Sequence, residues 1–146
     1  MKKGGPDAAI IINKARNTLS SAKVFASRGV GETGVPTACC WALTVIVRYD
    51  PKAKEFFNEL MDSSSGYEVK LYAVVGLLEL DPTAKARFAK LVAGGFPDQP
   101  VHAQFGCMAN ISTYGIELYN RLENGTGSYL FEKLPSLYQT VEVERF

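Results

Sequence analysis

The chain has 146 residues, 47% of them hydrophobic, which is enough apolar material for one domain with a real core. Lys and Arg number 16 against 15 Asp and Glu, a balance that excludes any general electrostatic pull toward nucleic acid or anionic lipid. No apolar run approaches the roughly 18 residues needed to cross a bilayer, and three cysteines, two of them adjacent, make a poor disulfide framework.

A reducing compartment is the simpler reading of those cysteines. Met1-Lys2-Lys3 carries the charge of a signal-peptide start, but Gly4-Gly5-Pro6-Asp7 stands where an apolar segment belongs. The chain as given reads as cytoplasmic, or as exported if a leader has been removed. One domain over 1–146 is expected, with a basic N-terminal helix over 1–28, a repeat core over 38–111 and a C-terminal cap over 112–146.

Pro6-Asp7 opens the first predicted helix, whose apolar positions Ile11, Ala15, Leu19 and Ala22 recur every three to four residues. Six basic residues, Lys2, Lys3, Lys14, Arg16, Lys23 and Arg28, face only Asp7 in this stretch, while the chain from Asp98 onward is mildly acidic. A glycine-dense loop from Gly29 to Thr37 follows, and Thr37 is placed to cap the next helix, about 38–48. That helix is apolar nearly all round, the mark of a buried element.

Then the chain says one thing twice. Asp50, Pro51, Ala53, Lys54, Phe57 and Leu60 recur 31 positions later as Asp81, Pro82, Ala84, Lys85, Phe88 and Leu91, and Trp41-Ala42 answers Tyr72-Ala73. Each Asp-Pro is a helix-start signal, with the carboxylate available to first-turn N–H groups and proline surrendering a donor that lacks a partner anyway. Ala, Phe and Leu at spacing 0, 4 and 7 share one helix face. Between the two copies, 68–80 forms another helix with almost no polar side. A third copy begins at His102, where Phe105-Gly106 takes the place of Trp41-Ala42 and Tyr72-Ala73, and then decays without an Asp-Pro. A segment from Ile116 to Leu122 and an aromatic-rich ending from Tyr129, closing on Val141-Glu142-Val143-Glu144, read as the cap.

An internal period of this size marks stacked supersecondary units. Asp50-Pro51-x-Ala53-x-x-x-Phe57-x-x-Leu60-Met61 followed by Glu68-Val69-Lys70-x-x-Ala73-x-x-Gly76-Leu77-x-x-Leu80 resembles the short HEAT-like helical repeats of phycobilisome-lyase-type proteins. The similarity covers about half the chain, 40–111. Lys70-Leu71-Tyr72-Ala73, Gly76-Leu77 and Phe105-Gly106-Cys107 also resemble uncharacterised bacterial helical-repeat proteins. The resemblance implies an all-α, right-handed alpha-alpha superhelix with Trp41, Tyr72 and Phe105 at equivalent inner positions. It carries over no catalytic residue, and it implies a non-enzymatic module for a protein or peptide partner.

Candidate chemistry is thin. Gly29-Val30-Gly31-Glu32-Thr33-Gly34 matches G-x-G-x-x-G, but a dinucleotide site needs a strand before it and a helix at the third glycine. Here a basic helical segment is predicted before it and Val35-Pro36 follows, so no cofactor is expected. Cys39 and Cys40 near a helix start invite a thiolate, yet His102 is the only histidine, and Cys40 and Cys107 align with the apolar Leu71 and Val74. No C-x-x-C spacing supports a metal site. Asp50 and Asp81, as caps, and Glu142 and Glu144, as solvated side chains, give no convincing acid–base pair. An enzyme with a cysteine or carboxylate site stays as an alternative to the interaction module. Another is a nucleic-acid binder through Lys14, Arg16, Lys23 and Arg28. Tyr114, Tyr119 and Tyr129 are the candidate partner contacts, since tyrosine is enriched at interfaces.

Overall fold

The computed structural model describes residues 6–31, 34–63, 66–94 and 99–134. Lys2, Lys3, Glu32, Thr33 and the ending that holds Glu142 and Glu144 lie outside the described residues. Six helices and a four-stranded mixed sheet occur among the described residues, so the expected all-α superhelix gives way to an α/β fold. Two stretches read as helical are strands.

The first lies in the predicted N-terminal helix. Helix α1 (Pro6–Ser20) buries Ala8, Ile12, Ala15 and Leu19, a stripe at helical spacing. It stops at Ser20 rather than running to Arg28, where Ser20 and Ser21 turn their hydroxyls onto the Arg16 and Asn17 carbonyls at 2.7 and 2.9 Å. Such local bonds compete with helix continuation. Strand β1 (Phe25–Val30) follows, and Gly31 at φ 77° and Gly34 at φ 64° turn it into the short β2 (Val35–Pro36). A Cβ on Gly29 would stand 2.9 Å from the Gly34 carbonyl oxygen, so the glycines belong to a hairpin and not to a nucleotide-binding turn.

The helical layer is α2 (Ala38–Tyr49), α3 (Ala53–Asp62), α4 (Tyr67–Leu80) and α5 (Ala84–Ala93). Helices α3 and α5 begin and end 31 residues apart, and so do the ends of α2 and α4. Each Asp-Pro sits in the turn before its helix. Asp50 Oδ1 accepts from Lys52 N at 2.9 Å, and Asp81 Oδ1 accepts from Thr83 N at 3.0 Å and from the Thr83 hydroxyl at 2.7 Å. The Thr83 hydroxyl, then Lys54, hold the Asp81 carboxyl down to about 2. A depressed carboxyl contributes stability above its unfolded value and loses it as pH falls toward 2.

The second stretch is the decayed copy. Strands β3 (Pro100–Gly106) and β4 (Met108–Thr113) form a hairpin with Phe105 opposite Met108, and Gly106 takes the positive φ, 60°, that its two-residue turn demands. Phe105, expected inside with Trp41 and Tyr72, is 57% exposed, while those two are 2% and 0%. Leu91, the counterpart of buried Leu60, is also exposed. Among the described residues no third helix pair covers either.

The sheet order is β2-β1-β3-β4, with β1 parallel to β3 and the other pairs antiparallel. A parallel pair needs a long crossover, which α2 to α5 supply. Helix α6 (Tyr114–Asn124) returns against α4 and α5. The core lies between helices and sheet. Helix α4 is its centre: seven consecutive residues from Leu71 to Leu77 are buried. The Tyr72 hydroxyl accepts from Ala26 N at 2.8 Å and lies within donating distance of the Val24 and Ala26 carbonyls, fastening α4 to the start of β1. At Gly76 the Phe57 ring packs onto the bare backbone, 2.3 Å from where a Cβ would be.

Gly76→Ala should therefore destabilise the protein by about 1–3 kcal/mol in urea unfolding, against a helix-propensity gain of about 1 kcal/mol. Adding Phe57→Leu should recover part of that loss, and strictly additive effects would disprove the contact. Tyr72→Phe, which strands the buried Ala26 N–H, should cost about 1–3 kcal/mol by the same measurement.

Candidate functional site

Helix α6 starts cleanly because Thr113, in extended conformation, accepts from Ile116 N through its hydroxyl. Its buried stripe is Tyr114, Leu118 and Leu122, at spacing 0, 4 and 8. Glu117, Asn120 and Arg121 flank that stripe, half-buried, and Ile116 and Tyr119 face solvent. Gly125 at φ 77° ends the helix, and the chain turns back toward β1, where Ser128 O accepts from Arg28 N at 2.8 Å. This return seats the Tyr129 ring on Phe25, centroids 4.5 Å apart and nearly parallel.

Between α6 and the β3–β4 hairpin lies a cleft of about 200 Å³. The buried rings of Phe25 and Tyr129 form its base, Phe105 and Met108 its hairpin wall, and Glu117 and Arg121 part of its helix wall. Asn120 adds an amide. The Arg121 guanidinium lies over Tyr129, 4.9 Å from the ring centroid, and its Nε–H is buried with no hydrogen-bond acceptor among the described residues. Burial, outweighing the nearby Arg121 charge, pushes the Tyr129 phenol up to about 12, so this ring is neutral at physiological pH.

The opposite face of the hairpin carries His102 and Ile111, which pair across the strands and alternate with Phe105 and Met108 through the pleat. With Val24 and Ala109 they line a more open apolar groove of about 360 Å³. Strand β4 is the sheet edge among the described residues. Met108 and Ile111 on it are each 71% exposed.

The residues singled out from sequence are dispersed. Arg16 bonds Asp50 through Nε at 2.7 Å and Nη2 at 2.6 Å and lies over Phe56, pinning α1 to the α2–α3 turn. Arg28 donates to the Leu130 carbonyl at 3.1 Å. Lys14 is half-buried on α1, and Lys23 is exposed after it. Of the three tyrosines, Tyr114 and Tyr129 are in the core, and Tyr119 alone faces solvent. Burial raises the Tyr114 phenol to about 12.

The thiols are dispersed too. Cys40 is fully buried with Sγ 3.1 Å from the Ala26 carbonyl. Burial pushes its pKa upward, and burial lifts Cys39 to about 11. Cys107 occupies the hairpin turn and is exposed, correcting the core position that its alignment with Val74 implies. Five strand positions separate it from His102, about 16 Å of extended chain. No cluster of three metal-ligating side chains forms among the described residues, and none of their helices is long and apolar enough to cross a membrane.

No family model, curated protein or solved structure matches the chain. The cleft and its Arg121 are not legible in the sequence, where α6 reads as a cap. Its only local signal is Glu117 and Arg121 at helical i, i+4 spacing beside an aromatic-rich return.

Titrating the native protein with a disulfide reagent at pH 8 should show one fast thiol, abolished by Cys107→Ser. Cys39, about a thousandth thiolate at that pH, and Cys40 should react only as the protein opens. Two fast thiols in the folded protein would contradict this burial.

Proposed function

We propose that the chain is a non-enzymatic interaction module that receives an extended segment of a protein or peptide partner along β4. One observation carries the reading: an uncharged strand, the sheet edge among the described residues, with two large apolar side chains, Met108 and Ile111, each 71% exposed. Natural edges are usually blunted by lysine, proline or a bulge, because unpaired N–H and C=O groups invite another strand. Met108-Ala109-Asn110-Ile111-Ser112-Thr113 contains no charge and no proline. A docked strand gains affinity from main-chain hydrogen bonds and specificity from side chains on alternate faces. Phe105 and Met108 offer an apolar surface on one face, and Val24 and Ile111 offer one on the other.

The alternatives receive less support. A phosphate-binding face on α1 and the start of β1 has Arg16 and Arg28 already engaged with Asp50 and Leu130. A thiol enzyme has its helix-borne cysteines held as thiols by burial.

Peptides selected on the folded protein from a displayed library should bind along the edge. Ile111→Lys, which plants a charge there, should weaken them at least about tenfold, or roughly 1.4 kcal/mol. Its effect on stability should be within about 0.5 kcal/mol, as for a surface change. Peptides that bind Ile111→Lys as well as the parent chain would place docking elsewhere and overturn the reading.

A further inference from the structure

The cleft between α6 and the hairpin poses a chemical question that strand docking does not answer. Glu117 precedes Arg121 by four residues on one helix, the more favourable order for an ion pair at that spacing. Both line the cleft, yet no ion pair joins them or ties either to another described residue. The guanidinium is drawn over Tyr129 instead, and its Nε–H is left without an acceptor among the described residues. Buried donors in native proteins nearly always have partners, and an exception calls for an explanation.

The cleft thus presents one cation and one anion, about 5–6 Å apart at their Cβ atoms by helical geometry, next to apolar walls. One amide side chain, that of Asn120, stands beside them. Its volume of about 200 Å³ falls below the roughly 300–1,000 Å³ typical of sites for drug-sized ligands and cofactors. A nucleotide is too large, and a ligand with one charge leaves either Glu117 or Arg121 unanswered.

We infer that this cleft binds a free α-amino acid with an apolar side chain. Its carboxylate meets the Arg121 guanidinium, its ammonium meets Glu117, and its side chain lies among Phe105, Met108 and the rings of Phe25 and Tyr129. A carboxylate is the natural partner of a guanidinium through two parallel N–H donors. The Tyr129 ring beneath the arginine keeps that group in place before the ligand arrives, which lowers the ordering cost of binding. No bond is made or broken, and the site is a receptor for the zwitterion.

The test uses the full chain and NMR spectra of its side-chain amides, titrated with L-leucine, L-methionine and L-phenylalanine. Saturable shifts of the Asn120 amide signals are expected. 3-Methylbutylamine and 4-methylpentanoic acid, each lacking one charge of leucine, should bind at least about tenfold more weakly, and so should glycine, which lacks the side chain. Glu117→Gln, which keeps shape and packing, should reduce leucine affinity by about the same factor, and Arg121→Met should do so more strongly. Ile111→Lys, on the other face of the hairpin, should leave the titration unchanged, which separates this site from the strand-docking reading. Equal affinity for the single-charge analogues, insensitivity to Glu117→Gln, or no shift at 10 mM amino acid would each overturn the inference.

Discussion

Helix α4 is buried on every side from Leu71 to Leu77, and the rest of the molecule is arranged around that constraint. A helix apolar all round must be covered from every direction, and α4 touches α1, α2, α3, α5, α6, β1 and β3. A single sheet or one flanking helix leaves part of it wet. The Tyr72 hydroxyl is a polar group inside this packing, and burial without a partner is costly. It finds one in the backbone at the start of β1, so the need to satisfy one phenol fixes where the sheet meets the helices. Gly76 serves the same end by steric means, admitting Phe57 where any Cβ would collide.

Once β1 is fastened there, the outer strands follow. β3 lies parallel to β1, and the tight turn at Gly106 places β4 outside it with one neighbour among the described residues. The chain after α6 then returns under the helices, tied by Arg28 N to Ser128 O, Arg28 Nη1 to Leu130 O, and Phe131 N to the Thr44 hydroxyl. These bonds bring Tyr129 onto Phe25. Segments far apart in sequence meet at the cleft because the return is anchored on the same strand that α4 anchors.

Much of the helical layer was legible in the sequence. The 31-residue echo reappears in matched helix boundaries, because Ala, Phe and Leu at fixed spacing dictate one buried face and Asp-Pro dictates a turn. Phe105-Gly106 mimics a third Trp41-Ala42 but lies in a hairpin. An aromatic followed by a small residue suits a helix interior, but it equally suits a strand ending in a tight turn, and the β-branched Ile111 and Thr113 beyond it are the better guide. The same ambiguity hid β1, whose Phe25 and Ala26 extend the apolar count of the preceding helix while Ser20 and Ser21 break it. The tyrosines near the end divide according to α6 periodicity, with Tyr114 on the buried stripe and Tyr119 off it, a distinction that composition alone does not draw. The cleft was illegible for a further reason: its charges come from one helix and its walls from three other segments that only the mixed sheet brings together.

The contrast between two arginines separates a structural role from a ligand-facing one in this chain. Arg16 reaches the nearly buried carboxylate of Asp50 at 2.6 Å while stacking on Phe56, so an aromatic platform and an ion pair coexist comfortably on one guanidinium. Arg121 has the same platform in Tyr129 and a carboxylate one turn away on its own helix, yet the pair does not close. Stacking is therefore not what denies Arg121 its partner. Glu117 and Arg121 both border the open cleft rather than a filled interface, and an arginine poised on a buried ring keeps its donors for whatever enters. Asp50 closes a seam between α1 and the α2–α3 turn, where water has to be excluded for the core to form. The cleft closes no seam, and its charges follow the chemistry of a guest.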